Sequence, residues 1–380
     1  MLSFSRRSAF SPQPNRWALA LEKASALMAL TQNNPTLVGL SPQVQLVPSP
    51  AYAPDAQGLA STRKALAQAL GQPARFGQLC LTSSTSEALG LALKLLADAE
   101  DEVVVGAPGY PLAETLAGFE SLRTLGFPLR LEDGAFRWDL PLLEERLTPY
   151  TRAVVVTSPQ VPTGACLLRE EVEALEALCL RHRLALIVDQ VFALPSHCLA
   201  GRDWKCLTFL LGGLSKWLGL PQHKLAWTWV LGPAALVEEA LRRWLWVADA
   251  YLSVATSVQE ALPSWLPLAE AFQSRVEARC RNNHATLARL RPQDAPWDLL
   301  PREAGWMAVL RVPSVPDEES LALHLLEAGV AVWPGYFFDM PLPGFLVLSL
   351  LAEEATFEEA ALRMVRGLSA LTPLHLCSFP

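Results

Sequence analysis

The feature that most limits what this chain can fold into is the alternation, from Leu59 to Leu211, of short apolar runs with stretches of helical periodicity. Apolar residues at helical spacing mark Leu59 to Leu70 and Ser86 to Leu96. After them come Glu102 to Val105, Pro111 to Gly118, Leu122 to Phe127, Ala153 to Thr157, Arg169 to His182, Leu184 to Val188 and Thr208 to Leu211. Strands buried on both faces read as unbroken apolar runs, and helices between them return the chain to the same edge. The alternation therefore predicts a mainly parallel sheet flanked by helices. Arg242 to Ala250 and Val258 to Asn283 continue as helices that lead outward. Met307 to Val312, Glu319 to Ala328, Val330 to Trp333, Leu346 to Leu350 and Phe357 to Leu371 then predict a smaller mixed α+β unit. Residues 12–54 carry prolines and polar residues around one helical stretch, Trp17 to Leu30, and read as an entering arm. The chain has no internal repeat, low-complexity tract or long linker.

A chain of 380 residues, 51% of them hydrophobic, can bury a large core and divide into two domains of ordinary size or one large and one small. The formal net charge is −7, and lysines and arginines nowhere form a basic block, which argues against nucleic acid as a partner. Mean hydropathy is +0.23, yet no apolar stretch reaches the roughly 18 to 20 residues that span a bilayer, so no membrane partner is expected. The start, Met1-Leu2-Ser3-Phe4-Ser5-Arg6-Arg7, runs into Ser, Pro and Gln instead of an apolar signal core, which predicts a cytoplasmic protein. Cys80, Cys166, Cys179, Cys198, Cys206, Cys280 and Cys377 are scattered and never spaced as a two-residue pair. They predict reduced core thiols and no metal site.

Two charged residues in apolar surroundings suggest chemistry. Asp189 closes the run Leu184-Ala185-Leu186-Ile187-Val188, and Lys216 follows 27 positions later in Gly213-Leu214-Ser215-Lys216-Trp217. Alone, a lysine is usually a solvated charge and an aspartate after a strand a loop cap. Together, an amine that can condense with an aldehyde and a carboxylate that can keep a pyridine nitrogen protonated read as a pyridoxal phosphate site. Ser83-Ser84-Thr85-Ser86 opens a helix, offering amides and a helix dipole to a phosphate dianion, although a serine-rich cap is ordinary by itself. Tyr110, in Pro108-Gly109-Tyr110-Pro111 after a strand, could lay its ring over a flat cofactor. Thr157-Ser158-Pro159-Gln160-Val161-Pro162-Thr163-Gly164 is a turn after another strand, and Lys224 supplies a cation that could reach the same phosphate.

Taken in order, Tyr52 and Gly58 before a helix, Ser84-Thr85-Ser86, Pro108-Gly109-Tyr110-Pro111, Pro162-Thr163-Gly164, Asp189, Lys216 and Lys224 resemble the class I/II aminotransferases of the fold-type-I pyridoxal phosphate enzymes. The likeness runs from Asn34-Pro35-Thr36 to the C-terminal helix. It implies an α/β fold of type I, with a large domain over 46–250 and a small domain built from 1–45 and 251–380. It implies pyridoxal 5'-phosphate carried on Lys216, with Ser84, Thr85, Ser86, Tyr110, Asp189, Ser215 and Lys224 around it. A homodimer is also implied, with Tyr52 reaching the partner's phosphate, and an amine or amino acid with a keto acid as substrates.

The departures are specific. Where the family has an asparagine and a tyrosine that donate to the cofactor's phenolic oxygen, this chain has Val161 and Phe192. Lys224 stands for an arginine and lacks its bidentate fork. The substrate-carboxylate arginine falls at Val347, in the apolar run Phe345-Leu346-Val347-Leu348-Ser349-Leu350. A lyase, racemase or decarboxylase on the same scaffold, or a weakly catalytic cofactor-binding homologue, stays open as an alternative, since a fold does not dictate its chemistry.

Overall fold

The computed structural model describes residues 7, 15–25, 27–46, 54–132, 135–340 and 342–370, so Tyr52 and Cys377 lie outside the described residues. The strands are β1 (Met28–Ala29), β2 (Leu79–Thr82), β3 (Glu102–Ala107), β4 (Arg123–Glu132), β5 (Ala135–Trp138), β6 (Thr151–Thr157), β7 (Ala185–Asp189), β8 (Thr208–Gly213), β9 (Ala226–Leu231), β10 (Asp298–Leu299), β11 (Met307–Arg311), β12 (Val330–Ala331), β13 (Trp333–Pro334) and β14 (Phe345–Ser349). The helices are α1 (Arg16–Lys23), α2 (Ala60–Ala69), α3 (Thr85–Leu96), α4 (Leu112–Phe119), α5 (Leu140–Arg146), α6 (Arg169–His182), α7 (Leu214–Trp217), α8 (Ala234–Asp249), α9 (Thr256–Trp265), α10 (Ala269–Leu290), α11 (Glu318–Glu327) and α12 (Glu354–Ala370).

Eight strands form one sheet in the order β2-β9-β8-β7-β6-β3-β4-β5. β8, β7, β6, β3 and β4 are parallel neighbours, while β9 and β5 run against theirs. The expected mainly parallel, helix-flanked sheet is therefore present. Side chains alternate across each strand, so both faces are buried. Val104, Val154, Val156, Leu186, Val188, Leu210, Trp227 and Trp229 enter one core, and Val103, Val105, Ala153, Val155, Ile187, Phe209, Leu211 and Val230 the other. Each fully buried Val, Leu or Ile adds roughly 1.5–3 kcal/mol of transfer free energy. A second sheet, β10-β11-β14-β13, is antiparallel and packs against α11, which in turn meets α12, itself packed on α10.

Three expectations change. Helix α1 stops at Lys23, where the Ala24 amide closes on the Leu21 carbonyl at 3.3 Å, and Met28–Ala29 instead pairs in parallel with Val330–Ala331. Backbone pairing with a distant segment outweighs the local helical period. The long helix read over Val258 to Asn283 is two helices with a 3-10 turn, Leu266–Leu268, between them; Pro267 in that turn lacks the N–H that a continuous helix needs. Val330 to Trp333 divides between two sheets as β12 and β13.

Candidate active site

β2, β3, β6, β7 and β8 end on one edge of the large sheet, and the loops leaving that edge carry the residues singled out above. Register brings them together. Asp189 lies opposite Leu211 of β8 and Thr157 of β6. Gly213 at the end of β8 lies opposite Ala226, which lies opposite Thr82 at the end of β2. The serine-rich turn after β2 and the lysine-bearing turn after β8 are thus side by side. A Cβ built on Gly213 would stand 3.2 Å from Ala226 Cβ and 3.6 Å from Thr85 Cγ2, so the two turns meet at van der Waals distance.

At the start of α3, Ser84 Oγ accepts from the Glu87 amide at 3.0 Å and the Glu87 carboxylate accepts from the Ser83 amide at 2.6 Å. Among the described residues, the Thr85 and Ser86 amides have no protein acceptor, which leaves two donors at the positive end of a helix. Ser215 lies in α7 directly before Lys216. The Leu225 carbonyl accepts from the Leu214 amide at 3.0 Å, which holds exposed Lys224 beside this turn.

Lys216 is half-buried. Its Nζ donates to the Asn33 carbonyl at 3.3 Å and stands 5.0 Å from the Trp306 ring centroid and 5.6 Å from that of Phe192. Burial disfavours the ammonium and pulls its pKa down to about 8. One Asp189 oxygen accepts from the Val191 amide at 2.9 Å. Burial pushes the Asp189 carboxyl up to about 6, the Val191 amide partly opposing it. The second Asp189 oxygen has no protein donor among the described residues.

Tyr110 is 66% exposed, and the amide of neighbouring Gly109 donates to the Phe338 carbonyl at 2.8 Å, tying this turn to the smaller sheet's surroundings. Val161 is half-buried against the main core, in the turn whose Gly164 carbonyl accepts from the Ala304 amide at 3.0 Å. Phe192 meets Trp306 edge-on with centroids 5.3 Å apart. Neither Val161 nor Phe192 offers a hydrogen-bond donor from its side chain.

Val347 is fully buried, between Val309 and Trp333. Alternation along β14 places it on the same face as Ser349, whose Oγ lies 2.7 Å from the Asn33 side-chain oxygen. That face looks toward the segment that receives Lys216, and it presents an aliphatic side chain there. Asn33, Ser349 and Trp306 were not singled out from the sequence. The only signals available were the small polar residue ending an apolar strand and the glycine before a tryptophan.

Two free amides at a helix start, a lysine with a depressed pKa and a carboxyl with one uncommitted oxygen suit the phosphate, aldehyde and pyridine nitrogen of pyridoxal phosphate. No group of three or more His, Cys, Asp or Glu side chains among the described residues could hold a metal, and the six described cysteines are free. Residues 46–364 match the aminotransferase class I and II family. The chain belongs to this family. The family uses pyridoxal phosphate, and this member is an enzyme of the aminotransferase type.

Relatives include an arginine–pyruvate transaminase of Pseudomonas aeruginosa, 29% identical over 233 residues, covering 57% of this chain and 58% of that enzyme. The match thus spans less than two thirds of that relative. An aspartate/prephenate aminotransferase of Thermus thermophilus is 29% identical over 337 residues, 83% of each chain. The structure of a tyrosine aminotransferase from Leishmania infantum superposes with a TM-score of 0.84 at 18% identity, covering 97% of this chain and 98% of that one. A Thermus thermophilus aspartate aminotransferase gives 0.80 at 24% identity, covering 97% and 100%. These likenesses establish the fold as type I.

Proposed function

We propose that this enzyme binds pyridoxal phosphate on Lys216 and transfers the amino group of an amine or amino acid to a keto acid, without a guanidinium clamp on the donor's α-carboxylate. The observation that carries the proposal is the Lys216 amine, drawn down to about 8 by burial at the carboxyl edge of the parallel strands. The cofactor, when bound, supplies an aldehyde that takes up amino groups and a ring that accepts the electrons of a broken bond at the substrate carbon. Lys216 Nζ would hold the cofactor's aldehyde and, as a free amine, would accept and give back a proton beside the substrate carbon. An amine titrating near 8 is part neutral and part charged at physiological pH, so it can do both. Asp189 would keep the ring nitrogen protonated. Ser84, Thr85, Ser86, Ser215 and Lys224 would hold the phosphate, Tyr110 would cover the ring, and Val161 and Phe192 would flank its phenolic oxygen with no donor.

The absence of a clamp rests on buried Val347. We further place two copies in a cytoplasmic homodimer, each with a large domain over 46–250 and Tyr52 reaching the partner's phosphate. Exposed Trp246, Tyr251 and Leu252 at the end of α8 are consistent with a partner surface. The deciding experiment is a half-reaction screen that follows loss of the cofactor's yellow band with paired donors, each amino acid beside the amine lacking its carboxylate. Comparable kcat/KM within pairs is expected, since the buried bidentate pair that separates them elsewhere, a matter of roughly 10²-fold or more, has no counterpart at Val347. Rapid, tight reaction with aspartate or alanine alone would count against it.

A further inference from the structure

A strap from the N-terminal segment reaches the proposed catalytic amine. β14 ends at Ser349, a residue 1% exposed. Its amide donates to the Leu30 carbonyl at 2.5 Å, and its Oγ lies 2.7 Å from both the Gln32 carbonyl and the Asn33 side-chain oxygen, one hydroxyl proton serving two acceptors. The Leu351 amide donates back to Ser349 Oγ at 3.3 Å. Residues 30–33 are therefore fastened to the strand end at three points by one serine. The Asn33 carbonyl, held in this way, accepts the Lys216 Nζ proton at 3.3 Å.

We propose that Ser349 is a positioning residue for proton transfer: by fastening Gln32 and Asn33, it fixes the Asn33 carbonyl as the resting place of the free Lys216 amine. The inference rests on the role given to Lys216 above and adds the device that aims it. A desolvated lysine on four rotatable bonds has no preferred direction in an apolar pocket. Phe192 and Trp306 restrict its space and offer ring faces, but neither accepts a directed hydrogen bond. The Asn33 carbonyl supplies one direction. It also favours the ammonium, opposing the burial that favours the neutral amine. Besides Lys216, the titratable side chain lining this pocket among the described residues is Glu277 on α10, which pairs with the buried Arg302 side chain at 3.5 Å.

Competitive labelling of the cofactor-free protein with acetic anhydride across pH, followed by peptide mapping, reads the Lys216 amine directly. In wild type it should titrate near 8. In Ser349→Ala the midpoint should fall by ~0.5 unit, the equivalent of one weakened neutral hydrogen bond. In the loaded enzyme the same change should lower kcat of the half-reaction ~10-fold while KM stays within about two-fold, the pattern of a lost transition-state contact. Ser349→Cys keeps the volume with a weak donor and should lie between the two, which covers the case in which the alanine variant folds poorly. A lowered melting temperature with an unmoved labelling midpoint and an unchanged kcat would make Ser349 merely structural and overturn the inference. Wild-type Lys216 that titrates like an ordinary lysine, or no half-reaction in wild type, would instead overturn the functional proposal itself.

Discussion

Trp306 and Lys216 lie 90 positions apart in the chain, yet the ring centroid of the tryptophan is 5.0 Å from the lysine Nζ. The segment that carries Trp306 is fixed to the large sheet's loops. The Ala304 amide donates to the Gly164 carbonyl at 3.0 Å, and the Glu303 carboxylate receives the Cys166 amide at 3.0 Å and Arg137 at 2.6 Å. Gly164 has φ +73°, and a Cβ there would meet the Ala304 carbonyl oxygen at 2.3 Å. Gly164→Ala should therefore push residues 302–306 outward and loosen Trp306 from Lys216. A stability loss of ~2 kcal/mol or more in urea unfolding is expected, from left-handed backbone strain and a backbone clash together. Unchanged stability would show that the segment shifts freely.

Borohydride treatment of the pyridoxal phosphate-loaded enzyme, followed by peptide mass mapping, should place the pyridoxyl label on Lys216. Lys216→Ala should retain no covalent label and lose ~10²–10⁴-fold in half-reaction rate. A label on any other lysine would overturn the assignment.

Phe192→Tyr tests the missing donors. A hydrogen bond to the phenolic oxygen of the cofactor disperses its negative charge and weakens its hold on the neighbouring proton. Wild type should therefore keep its protonated, yellow absorbance further into the alkaline range than the tyrosine variant, whose midpoint should fall by ~1 unit. An absorbance titration decides; loss of the yellow band below neutrality in wild type would sink the idea.

Asp189 and Lys216 make stability depend on pH in opposite windows. Asp189 is raised from an ordinary value of 3.8 to about 6, so between these pH values the folded protein binds the extra proton. Cofactor-free wild type should thus lose stability relative to Asp189→Asn as pH rises through that window, by at most ~3 kcal/mol. Lys216 is lowered from 10.5 to about 8, so there the unfolded chain binds the extra proton. Wild type should gain stability relative to Lys216→Met as pH rises from about 8 toward 10.5. Thermal melts in matched buffers read both differences, and parallel curves would exclude either shift.

Much of this was legible in the chain because it depends on local order. The apolar runs ending at Val105, Thr157, Val188 and Leu211 announce strands buried on both faces, and each core accepts alternate residues of those runs. Asp189 and Lys216 stood out because each is a charge set against an apolar flank. The antiparallel β9 was not singled out, nor was the short β5, since their places are set by partners across the sheet. Likewise, helical period alone carried α1 past Lys23, where pairing with Val330–Ala331 takes over.

By itself, the sequence determined which residues could do chemistry and that a parallel sheet would present them on one edge, since strand ends and turn residues are local properties. Tertiary structure decided what surrounds the amine. Asn33 reaches Lys216 across 183 positions, and Ser349 reaches Asn33 across 316, through hydrogen bonds that exist only after the two sheets have packed. The pKa of Lys216 follows from that packing, because desolvation depends on which side chains close over a group and not on its neighbours along the chain.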